Sequence, residues 1–165
     1  MEICRKNEAL EIRELDPFLA ELLRQIPESG QPKDSAAAEE RLFSPPAAPE
    51  EKVLCAEWKL YVVPELRRLF QSATETVRED LQQLRCTDKP FANCNIRIPM
   101  AHAEAWLSAL NQARLAIAAT YQFSDHELSD HYRSPLGNRR DLSLFQVNLY
   151  GFLQEFILRE IEGDG

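Results

Sequence analysis

The last segment of the chain, from about Asp141 to Ile161, constrains the fold more than any other. Its apolar residues Leu142, Leu144, Phe145, Val147, Leu149, Tyr150, Phe152, Leu153, Phe156, Ile157 and Leu158 occupy nearly the whole circumference of a helix. A helix that is apolar on all sides is stable only when other elements surround it. The segment therefore predicts a helical bundle with the last helix at its centre, covered by its own domain or by a second copy. A homodimer through this helix follows as an open expectation. Gln146, Asn148, Gln154 and Glu155 interrupt the apolar run, so it is not read as a membrane span.

Other segments repeat the helical period. Leu66, Leu69, Phe70, Ala73, Val77, Leu81 and Leu84 form one face of a helix opened by Pro64, with Arg67, Arg68, Gln71, Glu75, Arg78, Glu79 and Gln82 on the other. Asp16-Pro17 predicts an N-cap and first helical position, ahead of Phe18, Leu19, Leu22, Leu23 and Ile26. A further helix is expected over about 100–122, and Ser124-Asp125-His126-Glu127 has capping-box form. Leu54, Cys55, Trp58, Tyr61 and Val62 are assigned to one side of another short stretch. Glu11 to Glu14 alternates as a half-buried strand does, which predicts a small N-terminal β-hairpin, and Asn95–Ile98 has an extended pattern.

From residue 27 to about 51 the chain turns to Pro, Ser, Gly and Ala. Only Ala36 to Phe43 could form a helix there, with Leu42-Phe43 as the apolar anchor. Neither flank could build a core alone. The expectation is a mostly α, single domain over 1–165, a compact bundle of about five or six helices with a Pro-rich surface connector.

The formal net charge is -8 and the pI is about 5.0. The basic doublets Arg67-Arg68 and Arg139-Arg140 stand beside acidic residues, so a nucleic-acid partner is not expected, and an anionic membrane surface is disfavoured in the same way. The start Met1-Glu2-Ile3-Cys4-Arg5-Lys6 lacks an apolar signal core, and a cytoplasmic location is expected. Cys4, Cys55, Cys86 and Cys94 show neither a C-x-x-C pair nor zinc spacing, and four unpaired thiols are expected.

Two seam positions break the apolar pattern. Counting from Ala103 and Leu107 through Leu110 to Ala118 and Tyr121 places Arg114 in the seam and Asn111 at its edge. The same count on the last helix, Val147-Tyr150-154-Ile157-Ile161, falls on Gln154, followed by Glu155. A buried unpaired charge is costly, so the two helices are expected to pack with Arg114 and Asn111 hydrogen-bonded to Gln154 and Glu155. Such a network fixes helix register more often than it does chemistry; the alternative is a ligand or partner pocket lined by it.

Trp106-Leu107-Ser108-Ala109-Leu110-Asn111-Gln112-Ala113-Arg114-Leu115, with Leu153-Gln154-Glu155 near the C-terminus and the Leu42-Phe43-x-Pro45-Pro46 loop, resembles an uncharacterised bacterial family best known from actinobacteria. The chain departs from that family's pattern at Gln112-Ala113 and at Tyr150-Gly151-Phe152. The family carries no established activity. Its members are often encoded beside the substrate-recognition adaptor of the Clp protease, which implies by association a role near regulated proteolysis.

The densest cluster of chemistry-bearing residues is Asp125 to His131. His126 and Asp130 stand one helical turn apart, as do Glu127 and His131, a spacing open to a divalent metal. The two histidines, however, are five apart and face different ways, and a solvated, capped helix start explains the same residues. His102 is assigned to an exposed first turn. No phosphate loop, nucleophile elbow or cofactor fingerprint is present, and no cofactor is expected. The functional expectation is a non-catalytic, cytoplasmic protein-binding or regulatory helical module. The alternative is a metal-dependent or small-molecule enzyme using His126, Asp130 and His131 or an Arg114 pocket.

Overall fold

A computed structural model describes residues 1–33, 35–87, 93–129 and 137–163. The fold is mostly α, with a small antiparallel sheet laid against the helices. The expected hairpin is present as β1 (Glu2–Lys6) and β2 (Ala9–Leu15), joined by Asn7-Glu8 with Asn7 in the left-handed region at φ 55°. Asparagine tolerates that conformation better than most side chains do. The extended piece near Asn95 is β4 (Cys94–Pro99), which pairs with β2. The two-residue β3 (Arg85–Cys86) pairs with β4, giving the order β1-β2-β4-β3. Strand alternation sends Leu10, Ile12, Ile96 and Ile98 into the core and Asn95 and Arg97 outward. The register shifts between Ile12 and Leu15, where Glu14 takes φ 52° and its N–H donates to Asn95 Oδ1 at 3.2 Å.

The expectation of four unpaired thiols is overturned in part. Cys86 and Cys94 face each other across β3 and β4, with Cα atoms 4.0 Å apart, and are disulfide-bonded; Cys4 and Cys55 are free. Strand register brings this pair together, which no local spacing motif encodes.

The helices begin where the caps predict. Asp16 Oδ1 accepts from Leu19 N–H at 2.9 Å and opens α1 (Pro17–Arg24), followed by the short α2 (Ile26–Ser29). In the connector, α3 (Ala36–Phe43) forms, and Leu42 and Phe43 pack with Ala38 and Ala116 against Val63, Leu66, Phe70 and Leu115. Its first part does not merely cross the surface. Ile26 and Pro27 are buried, and Gly30 packs so closely on the next core helix that an added Cβ would lie 3.2 Å from Gln112 Cβ.

Next come α4 (Lys52–Glu57), a π turn (Trp58–Val62) in which Val63 N–H returns to Trp58 O, and α5 (Val63–Leu81). A 3₁₀ turn (Met100–His102) leads into α6 (Ala103–Tyr121). The short α7 (Asp125–Ser129) and α8 (Arg139–Glu162) complete the described helices.

The central helix is α6, not the last one. It packs against α2, α3, α5 and α8, and Ala103, Ala109, Ala113 and Ala116 let those backbones approach closely. None of residues 141–150 of α8 is exposed, so its N-terminal half is covered as expected. Its C-terminal half is not, because Phe152, Leu158 and Ile161 reach solvent on different sides. Trp106 and Tyr150 are the largest fully buried side chains, each contributing roughly 2–3 kcal/mol by apolar burial. Among the described residues, no helix is long and apolar enough to cross a membrane.

Candidate functional site

The polar seam forms between α6 and α8, with two of its four expected members. Arg114 Nη1 donates to Gln154 Oε1 at 2.6 Å, and Gln154 Nε2 donates to Leu107 O at 3.1 Å. Asn111 is exposed and takes no part, and Glu155 is exposed and bonds Arg159 one turn on. The reason is phase. The buried line on α6 runs through Trp106, Leu110, Ala113 and Ile117, one residue away from the counted seam, so Asn111 turns to water and Arg114 reaches α8 from the side. On α8 the buried line runs through Leu153, which leaves Glu155 outward.

The Arg114 guanidinium packs closely against Gly151. A Cβ at that position would stand 3.2 Å from Cζ and Nη2 and 3.3 Å from Nε. Burial pulls the Arg114 pKa below the ordinary guanidinium value, and its Nε is sealed from solvent without a partner. Gly151→Ala gains about 1 kcal/mol of helix propensity but displaces the guanidinium from a charge-assisted bond of roughly 1.5–3 kcal/mol. The expected net loss is about 1 kcal/mol. In an Arg114→Met background the same substitution becomes stabilising by about 1 kcal/mol, since only the propensity gain remains. Denaturant melts of the four proteins test this; a change of the same sign in both backgrounds rejects it.

The metal alternative finds no support in the part of the acidic segment that is described. His126 is exposed on α7, while Asp130 and His131 lie outside the described residues. Among the described residues, no group of three His, Cys, Asp or Glu side chains could hold a metal ion. The capping box itself is present. Ser124 Oγ accepts from Glu127 N–H at 3.3 Å, and Ser124 N–H donates to Glu127 Oε2 at 2.9 Å. Arg140, followed by the two Ser124 donors, holds the Glu127 pKa down to about 2.

Sequence reasoning missed a second polar cluster. Asp80, on the core side of α5, accepts from Trp106 Nε1–H at 2.8 Å, and both its oxygens lie 3.0 Å from His102 Nδ1. His102 is thus tied down and half-buried, not loose in a first turn. An acid three residues after Val77 and one before Leu81 lies on the apolar face of α5. The rule that singled out Arg114 would have found it.

A third feature is a surface. The side chains Val53, Leu54, Leu60, Tyr61 and Leu69 are exposed by 72%, 52%, 64%, 70% and 48%. Leu54 and Tyr61, expected on the same side as Cys55, Trp58 and Val62, turn outward; those three are half-buried. Trp58 Nε1–H donates to Phe43 O at 2.9 Å, tying the inner side of this arm to the end of α3. The outer apolar residues share their face with Glu57, Glu65 and Arg68, the last two paired at 2.6 Å.

No curated protein and no solved structure matches the chain. The profile of one family, described as Domain of unknown function (DUF2017), matches residues 7–161. That match spans the seam between α6 and α8, the arm and every strand but β1, and the chain belongs to this family.

Proposed function

We propose that the chain is a non-catalytic protein-binding module whose contact surface is the outer face of α4, the π turn and the start of α5. The observation behind this reading is the run of exposed Val53, Leu54, Leu60, Tyr61 and Leu69 on one arm. Each such side chain is worth roughly 1.5–3 kcal/mol when fully buried, and contiguous exposed apolar patches mark interaction sites. Glu57, Glu65 and Arg68 leave this face with a low net charge, which favours a partner face that is itself apolar and of low net charge. The π turn adds to the case, because such turns cluster at functional positions in helices. We place the module in the bacterial cytoplasm, where the Cys86–Cys94 pair would stand mostly reduced and form its bridge only under oxidation. A finer form of the proposal, resting on the family's association with a Clp adaptor, takes the partner from regulated proteolysis.

A photo-crosslinking residue at Tyr61, introduced in source cells, tests the surface. One specific protein is expected to be captured, to be lost with Leu60→Asp, and to be retained with Leu158→Asp, which alters an exposed leucine far along α8. Circular dichroism checks that both variants fold. Equal capture by both variants rejects the surface, and a captured set without Clp components removes the finer form alone.

A further inference from the structure

A groove of about 480 Å³ runs between the turn at 30–33, the end of α3, α5 and the middle of α6. Its floor carries Thr74 and Gln112, which are 7% and 3% exposed. Gln112 spends Nε2 on Ser108 Oγ at 3.1 Å, and among the described residues neither its Oε1 nor Thr74 Oγ1 has a partner. Among the described residues, Arg114 Nε is the one side-chain polar atom sealed from solvent and unsatisfied. The two floor oxygens therefore open into the groove. Their side chains are otherwise buried, so they present fixed acceptors that water or a ligand in the groove can satisfy.

The wall is aromatic: the Phe43 and Phe70 rings stand 5.8 Å apart at 39°. The mouth carries the donors Lys33, Arg67, Arg78 and Gln71, with Glu75 in the lining and Glu28 and Glu39 paired to its cations from outside. Arg67 lies over the Phe43 ring at 4.1 Å and bonds Glu39 through Nη2, and the rest of its fork has no partner among the described residues. Arg78 is answered by Glu75 and Glu28, and Lys33 by Glu28.

We propose that this groove binds a small organic carboxylate whose flat apolar body carries one N–H or O–H donor. The volume lies within the range of small-molecule sites, about 300–1,000 Å³, and is far too large for a lone ion. The flat body fills the space along Phe43 and Phe70, and its donor meets Gln112 Oε1 and Thr74 Oγ1. The carboxylate meets the open edge of Arg67, a planar fork suited to that group. Because each cation at the mouth already has a glutamate, the site favours a monoanion over a polyphosphate. The site is separate from the outer arm face, and each stands without the other.

Amide NMR shifts of the full chain test the site with indole-3-acetate, which has a flat ring, a carboxylate and one N–H. Binding with a Kd of about 1 mM or tighter is expected, with shifts centred on Phe70, Thr74 and Gln112. 3-Methylindole, without the carboxylate, and 1-naphthaleneacetate, without the N–H, should each bind about tenfold more weakly. Gln112→Leu and Thr74→Val, both close in size to the parent residues, should weaken indole-3-acetate about tenfold, while Leu60→Asp leaves it unchanged. Absence of groove shifts at about 10 mM indole-3-acetate overturns the site. So do shifts confined to 53–69, or unchanged affinity in whichever floor variant retains the parent dichroism spectrum. Equal affinity for 3-methylindole, or tighter binding of inorganic phosphate, overturns the ligand class.

Discussion

Asp80→Ala should destabilise the chain by about 3 kcal/mol, a fall in Tm of roughly 6–12 °C for a protein of this size. The carboxylate is buried and serves two donors, the indole of the fully buried Trp106 and His102 Nδ1. Truncation leaves the buried indole N–H with no side-chain acceptor, and the desolvation penalty of that orphan donor dominates. The His102 contact contributes less, because that side chain is 38% exposed and its interaction is screened. The order expected in urea melts is therefore Asp80→Ala worst, Asp80→Asn intermediate because its amide oxygen still accepts from the indole, and His102→Ala mildest. Asp80→Ala within about 1 kcal/mol of the parent would remove the cluster's structural role.

Alkaline pH should destabilise the fold through Tyr150. Its hydroxyl donates to Leu22 O at 2.6 Å and accepts from Gln146 Nε2 at 2.6 Å. Burial pushes its pKa from 10.0 up to about 12, only partly opposed by the Gln146 hydrogen bond. The folded chain keeps this proton where the unfolded chain has released it. Stability is thus complete below pH 10 and falls as the pH rises through the folded pKa, by about 1.4 kcal/mol per unit for this group. Tyr150→Phe loses about 1 kcal/mol at neutral pH through the lost hydroxyl bonds to Leu22 O and Gln146 Nε2, but its stability between pH 10 and 12 should be flatter than the parent's. Parallel slopes in the two proteins would contradict the assignment.

The elements legible in the sequence are those encoded locally. The Asp16-Pro17 start, the capping box at Ser124, the hairpin and the stripe through Val77 all depend on residues within a turn or two of one another. The Arg114–Gln154 bond was legible as well, since a charge in an apolar line must be answered by something. The partners Asn111 and Glu155 were not, because helical phase is set by the largest side chains. In α6 the many alanines blur the contrast between faces, and Trp106, not Leu107, points inward. Neighbours on several sides then bury Gln112 along with the alanines. The Cys86–Cys94 bridge, the Asp80 cluster and the groove floor are contacts between segments distant in the chain, fixed by strand register and helix packing. The outward turn of Leu54 and Tyr61 follows from how the arm is tied down, at Trp58, and from nothing in their own spacing.

The five-residue turn at Trp58–Val62 also acts as a phase-shifter. Rewinding it as ordinary α-helix at constant length would swivel everything upstream by about 100° about the shared axis. The indole would leave its carbonyl, and Val53 and Leu54 would no longer line up with Leu69. Insertions and deletions in the regular helix on either side are therefore rotations as well as changes of length, whereas losing one residue within this turn removes the surplus and leaves both faces in phase.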